Sequence, residues 1–176
     1  RYVLMNKLIT FGQDRRWRKE LIKLSGLKDG DNLLDVATGT GDVIIEAIQR
    51  GVKFSKGIGL DFSEGMLNVA RSRSDKYTEK KQIKWIEGDA LALPFNNSEF
   101  DIVTSAYLMR NAKNITDALS EQYRVLSPGG RVACLDTTPP EKSLLSPFIN
   151  FYLLKIIPLL GSLISGNKSA YTYLPE

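Results

Sequence analysis

Short β-branched runs alternate along this chain with stretches in which apolar residues return every three or four positions. The runs at 32–36, 57–61, 83–86, 100–105 and 131–136 have the length and side-chain type of buried strands. Between them lie helical rhythms. Residues 14–25 carry Trp17, Leu21, Ile22 and Leu24 on one face, and 42–50 turn Val43, Ile44, Ala47 and Ile48 inward. Ser63 is placed to cap a third helix bearing Met66, Leu67 and Ala70. The longest rhythm is Ile115, Ala118, Leu119, Gln122, Tyr123 and Leu126, which predicts a helix over 115–126. Gly26, the turn at 28–31, Gly51 and Pro128-Gly129-Gly130 punctuate these elements, the last ending the helix before a strand begins at Arg131. Strand and helix in strict alternation through short loops predict an α/β fold. Right-handed crossovers then give a parallel sheet in the order 3-2-1-4-5, with the helix 115–126 joining the last two strands.

Composition narrows the chemistry more than the fold. At 176 residues with 43% hydrophobic residues, the chain has enough material for one domain with a real core. It has no histidine, so the commonest general base and the commonest metal ligand are excluded, and no metal site is expected. Its one cysteine, Cys134, cannot form an internal disulfide and reads as a buried residue of the fifth strand. No signal peptide and no 18-residue apolar run is present, so the expectation is a cytoplasmic chain that spans no membrane.

Charge divides the chain into three zones of a single domain. Residues 1–28 hold eight Lys or Arg against Asp14 and Glu20, predicting a basic helical cap. Residues 29–140 form the α/β core. From 143 onward only Lys155, Lys168 and Glu176 are charged, so 141–176 reads as an apolar helical cover. A basic arm beside an apolar one suits nucleic acid, or an anionic membrane surface that supplies a greasy substrate, or simply a solvated helix face beside a core helix. Nucleic acid is disfavoured, because basic and aromatic residues do not interleave.

The most specific signal is the segment Leu33-Leu34-Asp35-Val36-Ala37-Thr38-Gly39-Thr40-Gly41-Asp42. A strand runs into a glycine turn, and Asp61 follows Gly41 by twenty residues at the tip of the next strand. Such an acid can accept hydrogen bonds from ribose hydroxyls. A dinucleotide fingerprint asks for a third glycine where this chain has Ile44, and Asp42 would repel a pyrophosphate. S-adenosylmethionine, with a sulfonium and an amino group, suits that carboxylate better. A nicotinamide-dependent oxidoreductase is the weaker reading, and a tight turn without a ligand the bland one. Residues 35–42, 61, 89–90, 107–111 and 136–138 all fall at carboxyl ends of strands, where ligands of such sheets bind. The cofactor set expected there is Thr38, Gly39, Thr40, Gly41, Asp42, Asp61, Phe62, Met66, Asp89, Ala90 and Ala106, with Asp89 and Ala90 meeting an adenine edge.

Several motifs also resemble a known family, the ubiquinone and menaquinone biosynthesis C-methyltransferases, over nearly the whole chain. Besides the glycine loop they are Tyr2-Val3-Leu4-Met5-Asn6, Thr10-Phe11-Gly12, Arg16-Trp17, Gly59-Leu60-Asp61-Phe62-Ser63-Glu64-Gly65-Met66-Leu67, Leu93-Pro94-Phe95, Arg110-Asn111, Arg124-Val125-Leu126-Ser127-Pro128-Gly129-Gly130 and Tyr171-Thr172-Tyr173-Leu174-Pro175-Glu176. The glycine loop and the Pro-Gly-Gly turn are general to methyltransferases. Met5-Asn6, Arg110-Asn111 and the Tyr-x-Tyr-Leu ending are more specific. Asp14 stands where many ubiquinone-branch members carry histidine, which tilts the likeness to the menaquinone branch. Asp136 replaces a frequent glutamate.

The resemblance implies a Rossmann-like class I S-adenosylmethionine methyltransferase sheet. Its final strands are not legible after Asp136, as though the chain were a piece of a longer protein. It implies C-methylation of a polyprenyl quinol, demethylmenaquinol to menaquinol. Another small-molecule or lipid methyltransferase is the alternative, and a nucleic-acid methyltransferase is a more distant one. Arg110 would stabilise a quinolate, Asn111 would hold the second ring oxygen, and Tyr107 would complete the catalytic group. Without histidine, the proton acceptor is a tyrosine, a carboxylate or an ordered water. Residues 144–154 would wall an isoprenoid tail, and Lys155 and Pro158 make that segment a cover, not a span. Peripheral contact at the inner face of the membrane and an oligomer are compatible with this reading.

Overall fold

A computed structural model describes residues 12–77 and 82–137. The apolar wall at 144–154, the Tyr171–Glu176 motif and residues 1–11 of the basic cap lie outside the described residues. Two compact units divide the chain, residues 16–137 forming one and residues 1–15 with 138–176 the other. The first carries the sheet.

Its elements are α1 (Gln13–Ser25), β1 (Asn32–Val36), α2 (Asp42–Gln49), β2 (Lys56–Asp61), α3 (Glu64–Ser74), β3 (Ile83–Glu87), β4 (Phe100–Ala106), a 3-10 turn (Met109–Asn111), α4 (Ile115–Arg124) and β5 (Leu126–Leu135). The strands lie in the order β3-β2-β1-β4-β5 and every pairing is parallel, as the alternation of elements predicts. Because side chains alternate along a strand, β1 sends Leu33 to one face and Leu34 and Val36 to the other. Leu33 joins Leu21, Ile22, Ile44, Phe54 and Ile102 in one core, while Leu34 and Val36 join Leu60, Phe100, Val103 and Val125 in a second. The sheet is therefore covered on both sides around β1, its centre.

Three expectations are corrected at the periphery. On α4 only Ala118 and Gln122 are buried, whereas Ile115 is 48%, Leu119 41% and Tyr123 77% exposed. Ala118 is the apolar residue of this helix that joins the core, in the cluster with Phe100, Val103 and Val125. On α1 Leu24 is exposed, because the helix buries Leu21, Ile22 and Ser25 instead. Cys134 is exposed, not buried. Among the described residues β5 pairs only with β4, so Arg131, Val132 and Cys134 lie open along an edge. Ser105 Oγ donates to Cys134 Sγ at 3.3 Å.

The Pro128-Gly129-Gly130 turn also behaves differently from its sequence reading. β5 begins at Leu126 and contains it, with a bulge opposite the stretch between Phe100 and Ile102. A Cβ on Gly130 would lie 2.6 Å from the Asp101 carbonyl oxygen, so glycine is what lets the two strands close up here.

Candidate cofactor site

The chain winds outward from β1 to β3 and then returns to β4, which opens a crevice at the carboxyl ends of β1 and β4. Both of those ends are strained. Ala37 follows β1 with φ 56° and Tyr107 follows β4 with φ 62°, left-handed conformations that a side chain disfavours and that cluster at functional sites.

The two glycines of the loop do different work. Gly41, φ 77°, is the N-cap residue of α2, and a Cβ there would lie 2.5 Å from the Trp85 ring. Gly59 is closed by the same indole, at 2.4 Å. Gly39, φ 56°, has no atom of the described residues within 4 Å of its Cβ position. Gly41 thus serves packing, and Gly39 is the residue whose backbone faces open space where a ligand can come close.

Asp61 anchors that backbone. The Gly39 N–H donates to its Oδ2 at 2.7 Å and the Ser63 N–H to its Oδ1 at 3.0 Å. Each carboxylate oxygen keeps a second lone pair, enough for a pair of vicinal hydroxyls. Ser63, as expected, caps α3 by accepting from the Met66 N–H at 3.4 Å. Phe62 beside it is 81% exposed, a free aromatic face at the rim, with Met66 half-buried one turn on.

Below the loop Asp35 is 1% exposed and accepts from the Thr38 hydroxyl at 2.6 Å and the Thr104 hydroxyl at 2.7 Å. Burial pushes its carboxyl up to about 7; the two threonines oppose this, and Asp42 and Asp61 add to it. Asp42, which the sequence offers to a cationic ligand, turns to Arg73 at 2.8 Å and accepts from Thr40 Oγ1 at 2.9 Å. Burial raises its pKa, but Arg73, Arg18 and Thr40 together outweigh burial and hold it below the ordinary carboxylate range. Thr40 is likewise engaged with Arg73 through both its carbonyl and its hydroxyl.

On the β3 side, exposed Asp89 accepts from the Leu91 N–H at 2.9 Å, with Ala90 half-buried beside it. Ala106 is half-buried at the end of β4.

A second group sits on the 3-10 turn. The Arg110 guanidinium lies 4.8 Å from the Tyr107 ring centroid, and Nη1 donates to Thr137 Oγ1 at 3.0 Å. Its Nε is 4.0 Å from Asp136 Oδ1, and its backbone N–H donates to Asp136 Oδ2 at 3.2 Å. Asn111 Nδ2 donates to the Tyr107 carbonyl at 2.8 Å. Stacking and hydrogen bonds thus fix one cation at the rim, its side chain 45% exposed. Among the described residues no cluster of His, Cys, Asp or Glu could hold a metal.

Sequence reasoning missed Thr104, Trp85 and Arg73. Thr104 carries a signal, a polar residue amid an apolar strand. Arg73 carries a misleading one, since a basic residue in a last helical turn reads as a partner for the helix dipole.

Comparison with known proteins agrees with this architecture. Residues 1–176 match the model of the ubiE/COQ5 methyltransferase family. The chain is 45% identical over 174 residues to the ubiquinone/menaquinone biosynthesis C-methyltransferase UbiE of Desulfotalea psychrophila, covering 99% of this chain and 69% of that protein. It is 42% identical to the demethylmenaquinone methyltransferase of Thermus thermophilus, covering all of this chain and 79% of the relative. Among solved structures, a putative methyltransferase of Bacillus halodurans superposes with a TM-score of 0.63 at 29% identity, covering 80% of this chain and 60% of the other. The YcgJ protein of Bacillus subtilis superposes at 0.65 with 26% identity, covering 81% and 60%. The sheet is that of class I S-adenosylmethionine methyltransferases, and with a family match running its full length, the chain belongs to the ubiE/COQ5 methyltransferase family.

Proposed function

We propose that the open backbone of Gly39 and the anchored carboxylate of Asp61 hold S-adenosylmethionine, and that the chain methylates a ring carbon of demethylmenaquinol. The broader reading is that of the family, a C-methyltransferase of ubiquinone and menaquinone biosynthesis. The observation that carries the cofactor assignment is a left-handed glycine facing open space whose own N–H is tied to an acid at the next strand tip. That arrangement lets a nucleoside lie against the loop while its hydroxyls reach Asp61.

When bound, the cofactor supplies an electrophilic methyl group. The protein holds a nucleophilic carbon in line with it, so that binding replaces collision. A quinol ring carbon becomes nucleophilic as its hydroxyl loses a proton. Arg110, held by Tyr107 and Thr137, is a cation already in place to favour the resulting quinolate, which needs no reorganisation during the reaction. Asn111 spends one N–H of its amide on the Tyr107 carbonyl, which fixes the side chain and leaves its oxygen and its second N–H for a quinol oxygen. The polyprenyl tail is assigned to the apolar residues 141–176, and contact with a membrane surface to that segment and the basic residues 1–28; among the described residues no helix is long and apolar enough to cross a membrane.

Titration of the full chain with S-adenosylmethionine and with NADH tests the assignment. Saturable one-to-one binding of the first and none of the second is expected. Binding of NADH alone would overturn it.

A further inference from the structure

We infer that Arg73 is a positioning residue of the glycine loop, the clamp that keeps Gly39 turned toward the cofactor. The loop holds two left-handed glycines, whose backbone has more conformational freedom to lose than that of other residue types. From beneath it is held by Asp35, and at its first glycine by Asp61. Its far side is held by one side chain of the neighbouring helix. Arg73 Nη1 donates to the Thr40 carbonyl at 2.8 Å and to Thr40 Oγ1 at 2.7 Å, while Nη2 donates to Asp42 Oδ1 at 2.8 Å. Thr40 Oγ1 then donates to Asp42 Oδ2 at 2.9 Å, closing a ring of charge-assisted contacts around the turn.

The planar guanidinium suits this geometry because its two nitrogens meet three acceptors at once, which a lysine ammonium on a flexible stem cannot reproduce. Charge gives a second reason. Asp35, Asp42 and Asp61 crowd one loop, and both Asp42 and Asp61 act on Asp35 through their charge. Among the described residues Arg73 is the cation hydrogen-bonded to one of the three, and the charge of Arg18 also acts on Asp42. Without Arg73, the Asp42 carboxylate is released beside the other two, and the loop loses its hold on α3. Since Asp61 closes β2 and Arg73 lies in the last turn of α3, the loop is tied both before and at the end of that helix. The position of α3 and the shape of the cofactor backbone are thereby linked.

The consequence for binding rests on the S-adenosylmethionine reading above, and two measurements keep the two ideas apart. The first uses the full chain with no cofactor. Arg73→Ala should raise amide hydrogen exchange at residues 39–42 at least tenfold while amides of β1 and β4 stay unchanged. Unchanged exchange at 39–42 would overturn the clamp. The second is calorimetric titration with S-adenosylmethionine and its demethylated product. Arg73→Ala should weaken both about tenfold or more, Arg73→Lys should recover part of that loss, and Asp42→Asn in the Arg73→Ala background should cost less than the sum of the two single changes. Strict additivity with no lysine rescue would make Arg73 a residue of general stability only. Failure of the unaltered chain to bind either compound would instead remove the cofactor assignment, and the exchange result would still decide the clamp.

Discussion

Replacing Asp35 by asparagine should flatten the dependence of stability on pH between 5 and 8. The carboxyl lies under the glycine loop at 1% exposure with hydroxyl donors from Thr38 and Thr104, and burial raises its pKa from 3.8 to about 7. A folded state that binds the proton more tightly than the unfolded chain is stabilised by it. That stabilisation is fully present below 3.8 and is lost as the pH rises through about 7. Across the whole shift it amounts to about 4 kcal/mol, and about 3 kcal/mol of it disappears between pH 5 and 8. For a chain of this length that is a fall in Tm of roughly 6–12 °C. Asp42, Glu99 and Glu121 have lowered values, so their contributions disappear only on acidification below the range scanned. Asparagine cannot ionise, and threonine hydroxyls can rotate to serve either half of its amide. Thermal unfolding at half-unit pH steps would show the unaltered chain falling and Asp35→Asn level, the variant becoming the more stable above pH 7. A level profile for the unaltered chain, or parallel slopes for the two, would mean that Asp35 does not hold its proton in the folded state.

Asp61→Ala removes the acceptor of the Gly39 and Ser63 N–H groups and should weaken S-adenosylmethionine binding by about 1.5–3 kcal/mol in calorimetry; unchanged affinity would take Asp61 out of the site. Gly59→Ala pushes a Cβ to 2.4 Å from the Trp85 ring and should cost about 1–3 kcal/mol of stability by denaturant unfolding. Gly39→Ala meets nothing within 4 Å and should cost only about 1–2 kcal/mol, from its left-handed backbone, yet weaken cofactor binding at least tenfold; normal binding would mean that the loop faces no ligand. Arg110→Ala should lower methylation turnover roughly a hundredfold with cofactor affinity near normal. Single-turnover kinetics beside a titration would show it, and equal losses in both would make Arg110 structural.

What the sequence revealed was what is local in it. The order of the sheet follows from the alternation of strand and helix, and the glycine loop and Asp61 are neighbours through one β-α-β connection. Contacts between distant segments were not legible. Arg73 reaches Thr40 across 33 positions and Thr104 reaches Asp35 across 69; a polar Thr104 in an apolar strand signals a partner but does not name it, and Arg73 signals none. Trp85 makes the same point, since it explains why Gly41 and Gly59 carry no side chain. Exposure was misjudged where no described residue packs on a face. The rhythm of Ile115, Leu119 and Tyr123 states that a helix is amphipathic, not how wide a surface lies below it. Cys134 sits in a strand as apolar as any, yet on an edge. Pro128-Gly129-Gly130 reads equally as a helix stop and as a bulge, and the close approach of Gly130 to Asp101 decides for the bulge.

Transfer of a methyl group to quinol carbon is read by following an isotopic label. The full chain is incubated with S-adenosylmethionine carrying an isotopically labelled methyl group and with reduced demethylmenaquinone, and the quinone fraction is analysed by mass spectrometry and NMR. One labelled methyl on the ring carbon is expected, formed in equal amount with the demethylated cofactor and absent when the quinone is kept oxidised. Label on oxygen, or bound cofactor with no labelled quinone, would contradict it.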